Sequence, residues 1–148
     1  MGEVADTLST QIKEALKAGE KTRLGTLRML SASVKNREVE LGHELTQEEF
    51  VEVVGREVKR RKEAAEAYAG AGRPELEERE RAEQVILEVY LPEQLSEEEL
   101  VRVVDEAIAA TGAAGPKEVG RVMGHVMAKH KGRVDGSAVS RLALERLG

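Results

Sequence analysis

Apolar residues recur along this chain at three- and four-residue steps, and almost nowhere in the strict alternation of a half-buried strand. Val4, Leu8, Ile12, Ala15 and Leu16 set out a first helix that stops at Gly19. A second helix, over residues 21–41, carries Leu24, Leu27, Leu30, Val34 and Leu41 on one side and ends at Gly42. The third starts after Thr46 and runs to about residue 69, where Gly70 and Gly72 break it. Pro74 suits the first turn of a fourth helix bearing Leu76, Val85, Ile86, Leu87 and Val89. That helix ends at Tyr90-Leu91-Pro92, because the residue before a proline is pushed out of the helical region. A fifth helix follows over 96–110, a sixth over 116–130 and a short seventh over 137–147. The expected fold is all-α, with a four-helix N-terminal subdomain at 1–91, a hinge at 92–95 and a three-helix C-terminal subdomain at 96–148.

Two helix starts share a sequence. Leu45-Thr46-Gln47-Glu48-Glu49-Phe50-Val51-Glu52-Val53-Val54 matches Leu95-Ser96-Glu97-Glu98-Glu99-Leu100-Val101-Arg102-Val103-Val104 at six of ten positions. Both read as capping boxes, with Thr46 or Ser96 as N-cap and Glu49 or Glu99 reaching back, and with Leu45–Phe50 and Leu95–Leu100 as hydrophobic staples. The likeness fades beyond these turns, so helix-start physics explains it better than a duplicated module does.

Composition narrows the function. The 148 residues include no cysteine, which removes disulfides, thiolate zinc sites and a cysteine nucleophile, and suits a reducing cytoplasm. Glu3 and Asp6 stand where a secretory signal would be basic, and the longest uncharged run, 107–116, is half of the ~20 residues a membrane span needs. Aromatics are 2% of the chain, so a platform of stacked bases is not available. The net charge of −5 is unevenly spread: residues 75–106 hold 12 acids against 3 bases, whereas 116–148 hold 7 bases against 3 acids.

The sixth helix is the most informative segment. Val119, Val122, Met123, Val126 and Met127 share one face, and Lys117, Arg121, His125 and Lys129 share the opposite one at steps of four. Lys131 and Arg133 extend that basic stripe into the next turn. It is either a solvated face or a surface for phosphates, for which evenly spaced cations on a rigid rod are suited. Gly120 and Gly124 cost about 1 kcal/mol each in a helix interior; close approach of a neighbouring helix is the expected compensation, and exposure of backbone to a ligand is the alternative. A second basic cluster lies on the third helix, where Arg56, Lys59, Arg60 and Lys62 project outward while Arg61 falls on the inner face one turn after Glu57. A partly buried Glu57–Arg61 pair is expected there.

No metal site is expected, since His125 and His130 lie five apart and no carboxylate stands in register between them. Nor is a cofactor: the chain has no P-loop, dinucleotide glycine fingerprint or serine elbow, and no residues group into a catalytic site.

Several stretches together resemble the GatB/YqeY family: Arg23-Leu24-Gly25-Thr26-Leu27-Arg28-Met29-Leu30-Ser31-Ala32-Ser33-Val34-Lys35-Asn36, Glu57-Val58-Lys59-Arg60-Arg61-Lys62-Glu63, Tyr90-Leu91-Pro92-Glu93-Gln94-Leu95-Ser96, and the tail Gly120-Arg121-Val122-Met123-Gly124-His125-Val126-Met127 with Lys131-Gly132-Arg133-Val134-Asp135-Gly136. The tail is similar to one shared with the GatB subunit of the glutamyl/aspartyl-tRNA amidotransferase. The resemblance implies an all-helical protein with four helices followed by three, and a tRNA-engaging tail whose catalytic domains are absent here. It also brings a label of carbon–nitrogen ligase activity with glutamine as amide donor, a label inherited by association. The leading expectation is a non-catalytic, tRNA-associated protein docking phosphates through Lys117, Arg121, His125, Lys129, Lys131 and Arg133. A protein-interaction module contacting amidotransferase or aminoacyl-tRNA synthetase subunits is the second.

Overall fold

A computed structural model describes residues 2–148. Among them are seven α-helices, one 3-10 turn and no strand. The chain divides into two compact units, one ending at Leu91 and the other Pro92–Gly148.

In the first unit α1 (Glu3–Ala18) and α2 (Lys21–Leu41) form one hairpin, and α3 (Gln47–Gly70) and α4 (Pro74–Glu88) another. Left-handed glycines at Gly19 and Gly42 close α1 and α2, each donating its N–H back to the last turn. The apolar faces read from the sequence meet in one core built on Leu8, Leu27, Leu30, Val34, Val54 and Leu87, all almost fully buried. Burying each such leucine is worth about 1.5–3 kcal/mol. Phe50 and Tyr90 pack edge to face, 5.8 Å between centroids, and the Tyr90 hydroxyl donates to Gln11.

The α4 helix is the exception to an apolar logic. Only Glu83 and Leu87 are buried on it, and Val85 and, at its C-terminal end, Val89 are exposed. Charge secures it instead. Arg61 is buried between Glu57 on its own helix and Glu83 on α4, and the Ser33 hydroxyl on α2 donates to Glu57 at 2.7 Å. The expected Glu57–Arg61 pair is therefore part of a larger network that joins three helices.

The second unit packs α5 (Glu97–Thr111), α6 (Val119–Lys129) and α7 (Gly136–Leu147) around Val104, Ala107, Val122, Val126 and Val139. Residues 93–95, expected as a hinge, are bonded to the turn between α6 and α7. Leu95 N–H donates to the Arg133 carbonyl at 2.9 Å, Arg133 Nε to the Glu93 carbonyl at 2.9 Å, and the Gln94 amide to the Gly132 carbonyl at 2.7 Å.

Both capping boxes are present, at Thr46 with Glu49 and at Ser96 with Glu99. The backbone N–H of each cap residue holds its glutamate below the ordinary carboxylate range, helped at Glu49 by His43 and at Glu99 by the Ser96 hydroxyl. A carboxylate whose folded pKa is depressed stabilises the fold above its unfolded pKa and loses that contribution as pH falls through the folded value. Thr46→Ala and Ser96→Ala are each expected to cost about 1 kcal/mol in urea denaturation at neutral pH. Glu49→Gln and Glu99→Gln, which remove the titrating carboxylates themselves, should make stability less sensitive to acidification, which the same titrations repeated at falling pH will read.

Candidate nucleic-acid interface

The basic stripe of the second unit is built in three pieces rather than on one rod. Pro116–Glu118 is a 3-10 turn, so Lys117 stands ahead of α6 and outside its four-residue register. Glu118 accepts from the Ala114 N–H, holding the loop that precedes this turn. Arg121, His125 and Lys129 lie on α6, and Lys131 and Arg133 lie in the turn beyond it.

Exposure divides these six residues. Lys117, Arg121, Lys129 and Lys131 are exposed, while His125 and Arg133 are half-buried. Arg121 spends much of its donor capacity within the unit, on Glu118 at 2.8 Å and on the Thr111 carbonyl. Arg133 commits Nε to the hydrogen bond with Glu93. The stripe thus has two lysines at its ends, Lys117 and Lys129, and an arginine between them that is partly neutralised. Glu118 is the residue the basic pattern alone overlooks; its position three before Arg121 is a signal for such a pair.

Gly120 and Gly124 correct an expectation. No other helix approaches them: both are exposed, and a methyl group added at either would meet no heavy atom within 4 Å. With Ala128 also exposed, the outward face of α6 is bare backbone between Lys117, Arg121 and Lys129. The apolar face is as expected, with Val122 and Val126 fully buried.

The two arginines of α7 are paired away. Arg141 bridges Glu97 at 2.9 Å and Glu145 at 3.6 Å, and Arg146 engages both oxygens of Asp105, which holds that carboxyl below its usual range. The α7 arginines are thus withdrawn from any shared basic surface, and Lys117 and Lys129 stand exposed on either side of Arg121.

On α3 the second cluster is less uniform than its sequence suggests. Arg56, Lys59 and Arg60 are exposed, and Lys62 is half-buried rather than outward. Arg60 leans toward Glu57 at 3.6 Å and Lys59 toward Glu63 at 4.0 Å. No group of three or more acidic or histidine side chains gathers in a metal-binding arrangement among the described residues, and no described helix is long and apolar enough to cross a membrane.

The family model of YqeY-like proteins matches residues 5–147, nearly the whole chain. The chain belongs to the YqeY-like family. The YqeY-like chain is also 28% identical, over 98% of its length and 81% of the relative's, to altered inheritance of mitochondria protein 41, mitochondrial, of Pyrenophora tritici-repentis (strain Pt-1C-BFP). The family match spans both units, so the α6 face and the Arg61 network lie within one family architecture.

Proposed function

We propose that this YqeY-like chain is a non-catalytic accessory protein that docks RNA, tRNA foremost, by its phosphates, through Lys117, Arg121, Lys129 and Lys131, with His125 and Arg133 at the margin. One observation carries the reading: the α7 arginines are consumed by α5 acids, while exposed Lys117 and Lys129 flank the exposed glycine backbone of α6. Such a face offers point charges and close approach, and no aromatic surface for reading bases. Each phosphate contact releases counterions, so affinity for tRNA should fall steeply with salt. The triple substitution Lys117→Gln, Lys129→Gln, Lys131→Gln is expected to reduce the slope of log K against log salt by about 2–3. Fluorescence anisotropy with labelled tRNA from low to physiological salt measures it; an unchanged slope rejects the surface.

A second reading rests on α4, where Val85 and Val89 are 64% and 77% exposed within the acidic segment. An apolar pair one helical turn apart suits contact with a protein, such as an amidotransferase or synthetase subunit. Co-purification that survives nuclease and high salt would favour it over RNA docking.

A further inference from the structure

Between α2, α3 and α4 lies an open cleft of about 430 Å³, within the range of small-molecule sites. Met29, Ala32 and Ala64 form its apolar walls, Ser33, Glu57, Arg61 and Glu83 its polar floor, and Arg60 and Glu80 complete the lining. The three ionisable floor residues are deeply buried, Glu57 at 6%, Arg61 at 5% and Glu83 at 9% exposure. The cleft is lined by three carboxylates, Glu57, Glu80 and Glu83, against the two guanidiniums of Arg60 and Arg61, so one negative charge is in excess. Arg60 and Arg79, themselves largely exposed, approach from the solvent side and form ion pairs with Glu57 and Glu83 at 3.6 Å, too long to donate a hydrogen bond.

Hydrogen bonds are shared unequally across this floor. Glu57 receives the Arg61 Nη1 group and the Ser33 hydroxyl. Glu83 receives one long bond, 3.4 Å from Arg61 Nε. The Nη2 group on the same edge of the guanidinium, which in a bidentate pair would reach the second carboxylate oxygen, meets only the Met29 thioether at 3.9 Å. An under-supplied acceptor and an under-used donor thus face one opening. Buried ionised groups ordinarily hold a fuller set of partners.

We propose that this cleft binds an ammonium group adjacent to a carbonyl, as found at the α-amino end of an amino-acid amide or of a peptide. The ammonium donates to Glu83 and neutralises the surplus charge. The carbonyl oxygen accepts from Arg61 Nη2, and the guest's side chain lies along Met29, Ala32 and Ala64. A free amino acid fits less well, because its carboxylate would stand beside Glu57 and Glu83; inorganic phosphate is disfavoured for the same reason. The site belongs wholly to the first unit.

Calorimetric titration of the full chain with leucinamide and with N-acetyl-leucinamide tests the proposal. Leucinamide is expected to bind, and its acetylated form at least about tenfold more weakly, since a charge-assisted hydrogen bond to a buried group is lost. A tripeptide amide with a free amino end binding as tightly as leucinamide would assign the site to peptide ends; leucinamide binding alone would assign it to small amides. Met29→Lys, at a position 52% exposed, tethers an ammonium at the mouth and tolerates the polar side chain. It is expected to abolish leucinamide binding and to raise the midpoint of thermal unfolding. No heat from leucinamide up to about 10 mM, equal affinity for the acetylated form, or unchanged affinity in Met29→Lys would each overturn the proposal.

Discussion

Arg61→Ala is expected to destabilise the first unit by about 3–5 kcal/mol, because it strands Glu57 and Glu83 as buried carboxylates without their shared cation. The loss should appear as a lower urea midpoint followed by circular dichroism. Substituting the whole network separates the loss of a partner from the worth of the network. Arg61→Met with Glu57→Leu and Glu83→Leu removes all three buried charges, and buried ion clusters replaced by apolar residues of similar volume often regain or exceed the original stability. The triple variant is therefore expected to unfold at higher urea than Arg61→Ala. An Arg61→Ala midpoint equal to that of the native chain would mean that the two carboxylates are solvated and not buried.

The second large effect has the opposite sign. Gly120→Ala with Gly124→Ala is expected to stabilise the second unit by about 2 kcal/mol, the sum of two helix-propensity gains at positions where the added methyl groups meet nothing. Thermal unfolding will show it as a raised midpoint. On the RNA-docking proposal the same variant should bind tRNA more weakly, since two methyl groups then stand between the helix backbone and the phosphates. Higher stability with unaltered tRNA affinity would separate these glycines from the proposed interface.

Helix positions were legible in the sequence because their signals are local. Thr46 and Glu49, or Ser96 and Glu99, sit three residues apart and settle a helix start between themselves. The Glu57–Arg61 pair was legible for the same reason, being one turn apart on α3. Ser33 and Glu83 were not: they stand 24 and 22 residues from the α3 groups they bond, and only the packing of three helices brings them together. Among the apolar residues of the α4 segment, only packing separates buried Leu87 from exposed Val85 and Val89.

The basic stripe was legible as composition and only partly as geometry. Spacing placed Arg121, His125 and Lys129 on a common side of α6, but it did not reveal that Pro116 starts a 3-10 turn that takes Lys117 out of register. Nor could periodicity show that Arg133 reaches the Glu93 carbonyl, 40 residues earlier. The two glycines were legible as a cost, and the wrong compensation was assigned to them. Helix neighbours are set by tertiary packing, and here Val122 and Val126 take the buried face.

The pairing of Arg141 with Glu97 and of Arg146 with Asp105 has an electrical consequence. Residues 92–148 hold 9 acids and 8 bases, so the second unit is almost without net charge. Its charge is nonetheless sorted, with the remaining acids of α5 on one outer face and the cations of α6 on another. On the RNA-docking proposal this charge pattern acts as a dipole near a polyanion: it attracts little at long range and favours encounters made at the α6 face. Orientation, rather than attraction, is then what added salt should remove first from the encounter.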